Sequence, residues 1–154
     1  MKLTWLELKL PPVLLVIILM VVMTLVKTLD LSLFEFARQT EVGGILAGFG
    51  LVVIAAGVMQ FDQAKTTVNP VKPNETSRVV STGIYSITRN PMYLGMLFVL
   101  TGWCVYLGII ANLAFLVIFV LYMVQFQIKP EEKILRQMFG EEYDEYVTRV
   151  RRWI

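Results

Sequence analysis

The chain has 154 residues, 56% of them hydrophobic and 17% charged, with a net charge of +2 and a mean hydropathy of +0.67, too apolar for an ordinary soluble domain of this size. It contains no histidine and a single cysteine, which excludes a Cys/His zinc site, a Ser-His-Asp triad, a histidine general base and an intramolecular disulfide. The basic residues are spread along the chain rather than gathered in one stripe, so no nucleic-acid partner is expected, and nothing supports a carboxylate-only metal site.

Four stretches approach the ~20 apolar residues that cross a hydrocarbon core: Pro12 to Leu29, Gly43 to Phe61, Pro91 to Leu107 and Ile109 to Ile128. The expected fold is all-α: one polytopic membrane domain over residues 1–154, with four transmembrane helices followed by short amphipathic C-terminal helices. Residues 1–61 read as a two-span scaffold. An amphipathic start (Leu3, Trp5, Leu6, Leu8) leads to Pro11-Pro12, which opens the first span. No small-residue cleavage site follows that apolar run, so it is not read as a cleavable signal. A partly amphipathic connection (Leu31, Leu33, Phe34, Phe36) leads to the second span, where Gly44 and Gly48 form a small-xxx-small pair. The pair is read as packing between helices, with a homodimer contact as the other reading.

Residues 62–90 form a polar loop containing the turn formers Asn69-Pro70, Lys72-Pro73 and Asn74. A loop this long in so small a protein is more often functional or lid-like than idle. At its end Asn90 suits an N-cap and Pro91 the first position of the third span. Arg89 beside that helix N-terminus, with its free N–H groups and positive dipole end, suits an anionic group; as an isolated residue it also fits a positive-inside anchor. Tyr93 and Gly95 fall on the first turns, Gly95 allowing a ligand or a neighbouring helix close to the backbone. Cys104, inside an apolar span, reads as a small packing residue.

Leu107-Gly108-Ile109 is nearly all the connection available between the third and fourth spans, so residues 91–128 are expected to form an antiparallel hairpin that returns Arg89 and Lys129 to one face. In residues 129–154, Pro130 suits the first turn of a new helix with Glu131 and Glu132 at its positive end. Ile134, Leu135, Met138 and Phe139 give that helix an apolar face, Gly140 ends it, and a second short helix puts Tyr143, Tyr146, Val147 and Val150 on one side. The plain alternative is an amphipathic tail lying at the membrane surface.

With four crossings, Lys2, Lys9, Lys65, Lys72, Arg78, Arg89, Lys129, Lys133, Arg136, Arg149, Arg151 and Arg152 share one side, leaving Lys27 and Arg38 on the other. Such a bias places both termini and the 62–90 loop in the cytoplasm.

Taken in order, Gly83-Ile84-Tyr85, then Arg89-Asn90-Pro91-Met92-Tyr93-Leu94-Gly95, a two-span hairpin, Glu131-Glu132-x-x-Leu135 and Phe139-Gly140-Glu141-Glu142-Tyr143-x-x-Tyr146-x-x-Arg149-Val150 resemble the isoprenylcysteine carboxyl methyltransferase family and its relatives among phospholipid N-methyltransferases. The resemblance covers about Asn69 to Val150 and is specific as a set. It implies an integral membrane enzyme that moves a methyl group from S-adenosylmethionine to a lipophilic acceptor, releasing S-adenosylhomocysteine. It also implies a cofactor pocket, open to the cytosol, made by the last hairpin and the C-terminal helices, with the lipid substrate arriving sideways from the bilayer. Carried onto this chain, the resemblance makes Tyr85, Asn90, Pro91, Tyr93, Gly95, Glu131, Glu132, Tyr143 and Tyr146 candidate cofactor contacts, and Arg89, Arg149 and Glu132 candidate catalytic residues. Asn90 stands where the eukaryotic carboxyl methyltransferases usually have histidine, and the acidic run is two residues long and follows Lys129-Pro130.

Transfer from a sulfonium is an in-line displacement with a good leaving group, so the protein has mainly to align the reactants and exclude water. Glu131 or Glu132 would hold the ribose hydroxyls or the amino group. Tyr85 or Tyr93 would face the adenine or the sulfonium, where cation–π attraction offers about 0.5–2 kcal/mol. Arg89 or Arg149 would pair with a carboxylate of the cofactor or of the acceptor. A carboxylate acceptor needs no general base, whereas a phospholipid or small amine would need a route for its proton. Two readings from other classes compete. Proton-coupled transport wants an ionisable residue deep in a span, and Lys27 lies near the end of one; a non-catalytic membrane adaptor would not bind S-adenosylmethionine.

Overall fold

The computed structural model describes residues 7–29, 34–63 and 79–154. The turn formers Asn69, Pro70, Lys72, Pro73 and Asn74, the apolar Leu3, Trp5, Leu6, Leu31 and Leu33, and the basic Lys2, Lys65 and Arg78 lie outside the described residues.

Among the described residues six α-helices follow in order: α1 Pro12–Val26, α2 Gln39–Gln63, α3 Pro91–Leu107, α4 Leu113–Tyr122, α5 Lys129–Phe139 and α6 Glu141–Arg149. No strand occurs among the described residues, and the chain is an all-α polytopic membrane protein. Pro12–Leu29, Gln39–Gln63 and Ile110–Phe139 are long and apolar enough to cross a bilayer. The apolar α3, at 17 residues, is shorter, about 25 Å at 1.5 Å per residue.

One boundary differs from the sequence reading. Pro130 does not start a separate helix: α4 runs through a π-helical turn, Met123–Ile128, straight into α5, so Ile110–Phe139 is a single rod of 30 residues. That length exceeds the ~20 residues that cross a hydrocarbon core, so the charged end of the rod, from Lys129 onward, projects beyond the apolar layer.

In lipid, apolar side chains gain nothing by leaving one apolar surrounding for another, so helices associate by close packing. The pair α2 and α3 shows this. Gly43, Gly50 and Gly57 recur every seventh residue on α2 and meet Gly102, Gly95 and Met92 of the antiparallel α3. A Cβ on Gly50 would lie 2.5 Å from the Gly95 carbonyl oxygen, and one on Gly102 would lie 2.5 Å from that of Gly43. The seven-residue repeat keeps this seam on one line along the pair. Gly44 and Gly48, the pair singled out in the sequence, face open space instead; the packing glycines are those one and two places away.

On the other side of α3, α1 contributes Leu15, Val16, Leu19 and Met23 to a core completed by Leu100, Cys104, Leu107, Ile109, Phe119, Met123 and Ile128. Polar pins fix α1 in place. The Trp103 indole donates to the Met20 carbonyl at 3.2 Å, and the fully buried Asn112 amide donates to the Met23 carbonyl, also at 3.2 Å. Gly108, at φ 69°, adopts the left-handed conformation that closes α3, and its carbonyl accepts from the Phe34 amide. At the opposite end of the bundle the Leu8 amide donates to the Phe126 carbonyl. Both termini of the described chain therefore lie at the end of the bundle that holds Arg89 and α6.

Candidate functional site

Four pieces of chain converge at that end: the 3-10 turn Gly83–Ser86, residues 88–93 leading into α3, the projecting end of the α4–α5 rod, and α6 with its extended tail. The tail turns back because the helix stops at Arg149 and Val150 is extended, φ −124° and ψ 131°. It then lies along residues 88–90. The Arg89 amide donates to the Arg151 carbonyl at 3.0 Å, and the Asn90 side-chain amide donates to the Arg152 carbonyl at 2.9 Å. Asn90 precedes Pro91 as expected, but its side chain makes no helix cap and serves this tie instead.

The buried Glu132 carboxylate is the centre of the charge arrangement. Arg152 grips it with both arms, Nε to Oε1 at 2.9 Å and Nη2 to Oε2 at 2.7 Å, and Arg89 Nη2 approaches Oε1 at 3.2 Å. Two guanidiniums around one carboxylate leave a net positive charge. The Arg89 side chain is 9% exposed, yet its Nε and Nη1 are buried and have no hydrogen-bond partner among the described residues. A buried cationic fork with unspent donors calls for an anionic acceptor, and a carboxylate matches its planar geometry.

Glu131, the next residue, has a different environment. Tyr93 donates its hydroxyl to Oε1 at 2.6 Å and the Gln127 amide donates to the same oxygen at 2.8 Å. Both partners are neutral. The Tyr85 hydroxyl is also buried without a partner, and its ring packs edge-on against Phe61. Tyr146 donates to the Tyr85 carbonyl at 2.7 Å, tying α6 to the 3-10 turn. Burial, with Tyr146 and Glu131 nearby, raises the Tyr85 hydroxyl above its ordinary range. Burial first, and the Glu132 charge second, push Tyr143 up to about 12, and burial likewise raises Tyr146. At neutral pH all three tyrosines are hydrogen-bond donors and none is a base. The bidentate bond to Glu132 raises Arg152 further, so it stays cationic.

The residues named from sequence divide into two sets. Tyr85, Arg89, Tyr93, Glu131, Glu132, Tyr143 and Tyr146 come together in this cluster, with Asn90 tying the tail across it. Gly95 instead faces α2, where a Cβ would meet the Gly50 carbonyl, and Pro91 is buried where Gly57 of α2 approaches. Arg149 is exposed, its Nε 3.4 Å from the Glu145 carbonyl of its own helix, and the partner of Glu132 is Arg152. Sequence periodicity could not choose among Arg149, Arg151 and Arg152, since the choice depends on where α6 ends. Gln127 escapes the sequence reading because a new helix at Pro130 separates it from Glu131; only the continuous rod sets it four residues before Glu131 at the spacing of neighbouring side chains.

S-adenosylmethionine offers a carboxylate, an amino group, ribose hydroxyls, an adenine and a sulfonium. The unspent donors of Arg89, the Tyr85 hydroxyl, the paired carboxylates and the tyrosine rings are of the kinds these groups require, so the residue set fits the cofactor.

Residues 39–142 match the phospholipid methyltransferase family model. The chain is similar to protein-S-isoprenylcysteine O-methyltransferase B of Arabidopsis thaliana, 31% identical over 113 residues that make up 68% of this chain and 57% of the plant protein. It is similar to protein-S-isoprenylcysteine O-methyltransferase of Saccharomyces cerevisiae, 28% identical over 128 residues, 79% of this chain and 52% of the yeast protein. An uncharacterized protein of Haemophilus influenzae is 46% identical over 65 residues, 41% of this chain and all of its own length. The chain thus spans little more than half of the named plant and yeast relatives, and no solved structure matches it. With two thirds of its length inside the family match, and with the carboxylate pair and Arg89 at one end of an apolar helical bundle, the chain belongs to the phospholipid methyltransferase family of membrane proteins.

Proposed function

We propose that the protein is an integral membrane methyltransferase that uses S-adenosylmethionine and acts on a lipophilic acceptor, with carboxyl O-methylation of an isoprenylcysteine-type group as the first reading of the substrate. The observation that carries the proposal is the Arg89–Glu132–Arg152 group, positively charged overall, in which Arg89 and Glu132 are buried and Arg89 Nε and Nη1 have no partner among the described residues. It lies beside an independently held carboxylate, Glu131, where a membrane rod leaves the apolar layer. The names of the plant and yeast relatives, and the family match over residues 39–142, support the same reaction class.

In this reading Arg89 holds a carboxylate through its free donors, and Glu132 with Arg152 fixes the direction of that fork. Glu131 takes a hydroxyl or an amino group. Tyr85, Tyr143 and Tyr146 supply ring faces and donors and help keep water from the reacting atoms. The cofactor supplies an electrophilic methyl on a sulfonium, and the chain's own groups bind, orient and desolvate. The acceptor reaches the site from the bilayer, and the site faces the cytosol. Among the described basic residues, Lys9, Arg89, Lys129, Lys133, Arg136, Arg149, Arg151 and Arg152 belong to the site end, against Lys27 and Arg38 at the other.

A specific observation favours amine N-methylation as a second reading. Glu131 has only the neutral partners Tyr93 and Gln127, so it is free to accept the proton that a nitrogen acceptor must lose. The deciding experiment is calorimetric binding of S-adenosylhomocysteine to detergent-purified protein, with Arg89→Ala as control, followed by labelled methyl transfer to an acid series and an amine series. Binding abolished by the substitution supports the cofactor assignment. Absence of binding in several lipid environments returns the protein to the adaptor reading.

A further inference from the structure

The buried stripe along the last membrane rod steps unevenly. Phe119, Met123 and Ile128 are fully buried and Glu132 is 8% exposed, giving intervals of four, five and four residues. The interval of five is the π turn, Met123–Ile128. A π turn holds one residue more than an α turn, and one extra residue rotates everything beyond it by about 100° around the axis. In an uninterrupted α-helix the stripe Phe119–Met123 would continue to Gln127 and Glu131. Glu132 would then be turned away from Arg89 and Arg152, and Glu131 away from Tyr93.

Two features hold the wide turn open. The Lys129 amide donates to the Val124 carbonyl, five residues back. The next residue, Pro130, has no N–H to give to the Phe126 carbonyl four residues before it. That carbonyl accepts instead from the Leu8 amide at 3.0 Å, a contact made from more than a hundred residues away. Leu8 adopts φ 57°, a left-handed conformation uncommon outside glycine and asparagine, and it is held there in a segment that delivers this one hydrogen bond.

We propose that the π turn Met123–Ile128, left open by Pro130 and latched by the Leu8 amide, is the positioning device that sets the rotation of the Glu131–Glu132 pair in the site, a role that rests on the methyltransferase reading of that pair. Leu8 and Pro130 are positioning residues that touch neither reactant. The latch also makes the described segment before α1 part of the site's support.

The test is a double-mutant cycle on thermal unfolding of the full chain, using Pro130→Ala, Glu132→Gln and the double variant. Alanine favours the helix, so the rod itself still forms in Pro130→Ala. Restoring the N–H at position 130 lets the helix close over the Phe126 carbonyl and rotates the pair away from its partners. The expected result is a Pro130→Ala protein with a lowered unfolding midpoint, in which Glu132→Gln costs less than half the midpoint shift it costs in the wild type, because the ion pairs it would break are already lost. Additive shifts would overturn the proposal whether or not any cofactor binds, so the cycle stands apart from the calorimetric test of function. Amide exchange gives an independent arm: Leu8 should exchange at least tenfold faster in Pro130→Ala, and unchanged protection at Leu8 overturns the latch. If S-adenosylhomocysteine binds the wild type, its affinity should weaken at least tenfold in Pro130→Ala, and adding Glu132→Gln should weaken it less than twofold further, whereas a purely structural proline would leave the two effects additive.

Discussion

Glu131 and Glu132 are neighbours on one helical turn and face opposite electrostatic surroundings: Tyr93 and Gln127, both neutral, hold the first, and the guanidiniums of Arg89 and Arg152 enclose the second. Consecutive helical residues point about 100° apart, so a single step along the chain changes partners completely. The two carboxylates should therefore fail differently when neutralised.

Glu132→Gln leaves the buried Arg89 and the partly exposed Arg152 without their counter-ion. Breaking one side of a buried ion pair typically costs about 3–5 kcal/mol, so this variant should lose folding stability as well as turnover, seen as a lowered unfolding midpoint in detergent. Glu131→Gln keeps an amide oxygen for Tyr93 and should unfold near the wild-type midpoint while methyl transfer falls about a hundredfold, the scale of a misplaced reactant. Equal losses of stability in the two variants would contradict the division.

Arg149→Ala should leave both unfolding and S-adenosylhomocysteine binding at wild-type values, because its side chain is exposed and touches only its own helix. Arg152→Lys should weaken both, since a point charge cannot reproduce the two-armed grip on Glu132. Parallel calorimetry of the two variants checks this, and a normal Arg152→Lys would mean that the fork is dispensable.

Tyr146→Phe removes the donor to the Tyr85 carbonyl and leaves a buried oxygen unpaired. The expected cost is about 1–3 kcal/mol, accompanied by faster proteolysis at the joint between α6 and the 83–86 turn. Limited digestion with and without the substitution reads this out.

Glycine substitutions should separate the two faces of α2. Gly50→Ala or Gly95→Ala drives a methyl group into the opposite backbone and should cost about 1–3 kcal/mol or more. Gly44→Ala and Gly48→Ala meet nothing and should be neutral or stabilise the helix by about 0.5–1 kcal/mol. Unfolding midpoints in one detergent decide the comparison.

These contrasts mark what the amino-acid order could and could not reveal. Hydropathy located the spans closely, since an apolar run of this length has few other homes; α3 begins at Pro91 and ends at Leu107 as read. The pair Glu131-Glu132 and the motif from Arg89 to Tyr93 were also legible, because their local chemistry is dense and their order unusual. Rotation about a helix axis was not legible. Gly44 and Gly48 were chosen over Gly43 and Gly50 because spacing alone carries no absolute direction, and the π turn is invisible to a period of 3.6. Arg152 was missed because its position depends on the extended backbone at Val150, which no helical pattern encodes.

The seam of glycines between α2 and α3 has a mechanical meaning. Where backbone touches backbone there are no rotamers to adjust and no side-chain slack to take up, so the two helices must move as one plate. The edge of that plate carries Arg89 and Tyr93. Side chains rather than backbone fill the seam between α1 and the last rod, where Leu15, Met23, Phe119 and the amide of Asn112 are the fastenings. Tyr93 rides on that plate and Glu131 on the rod, so their hydrogen bond joins the rigid body to the more loosely packed one.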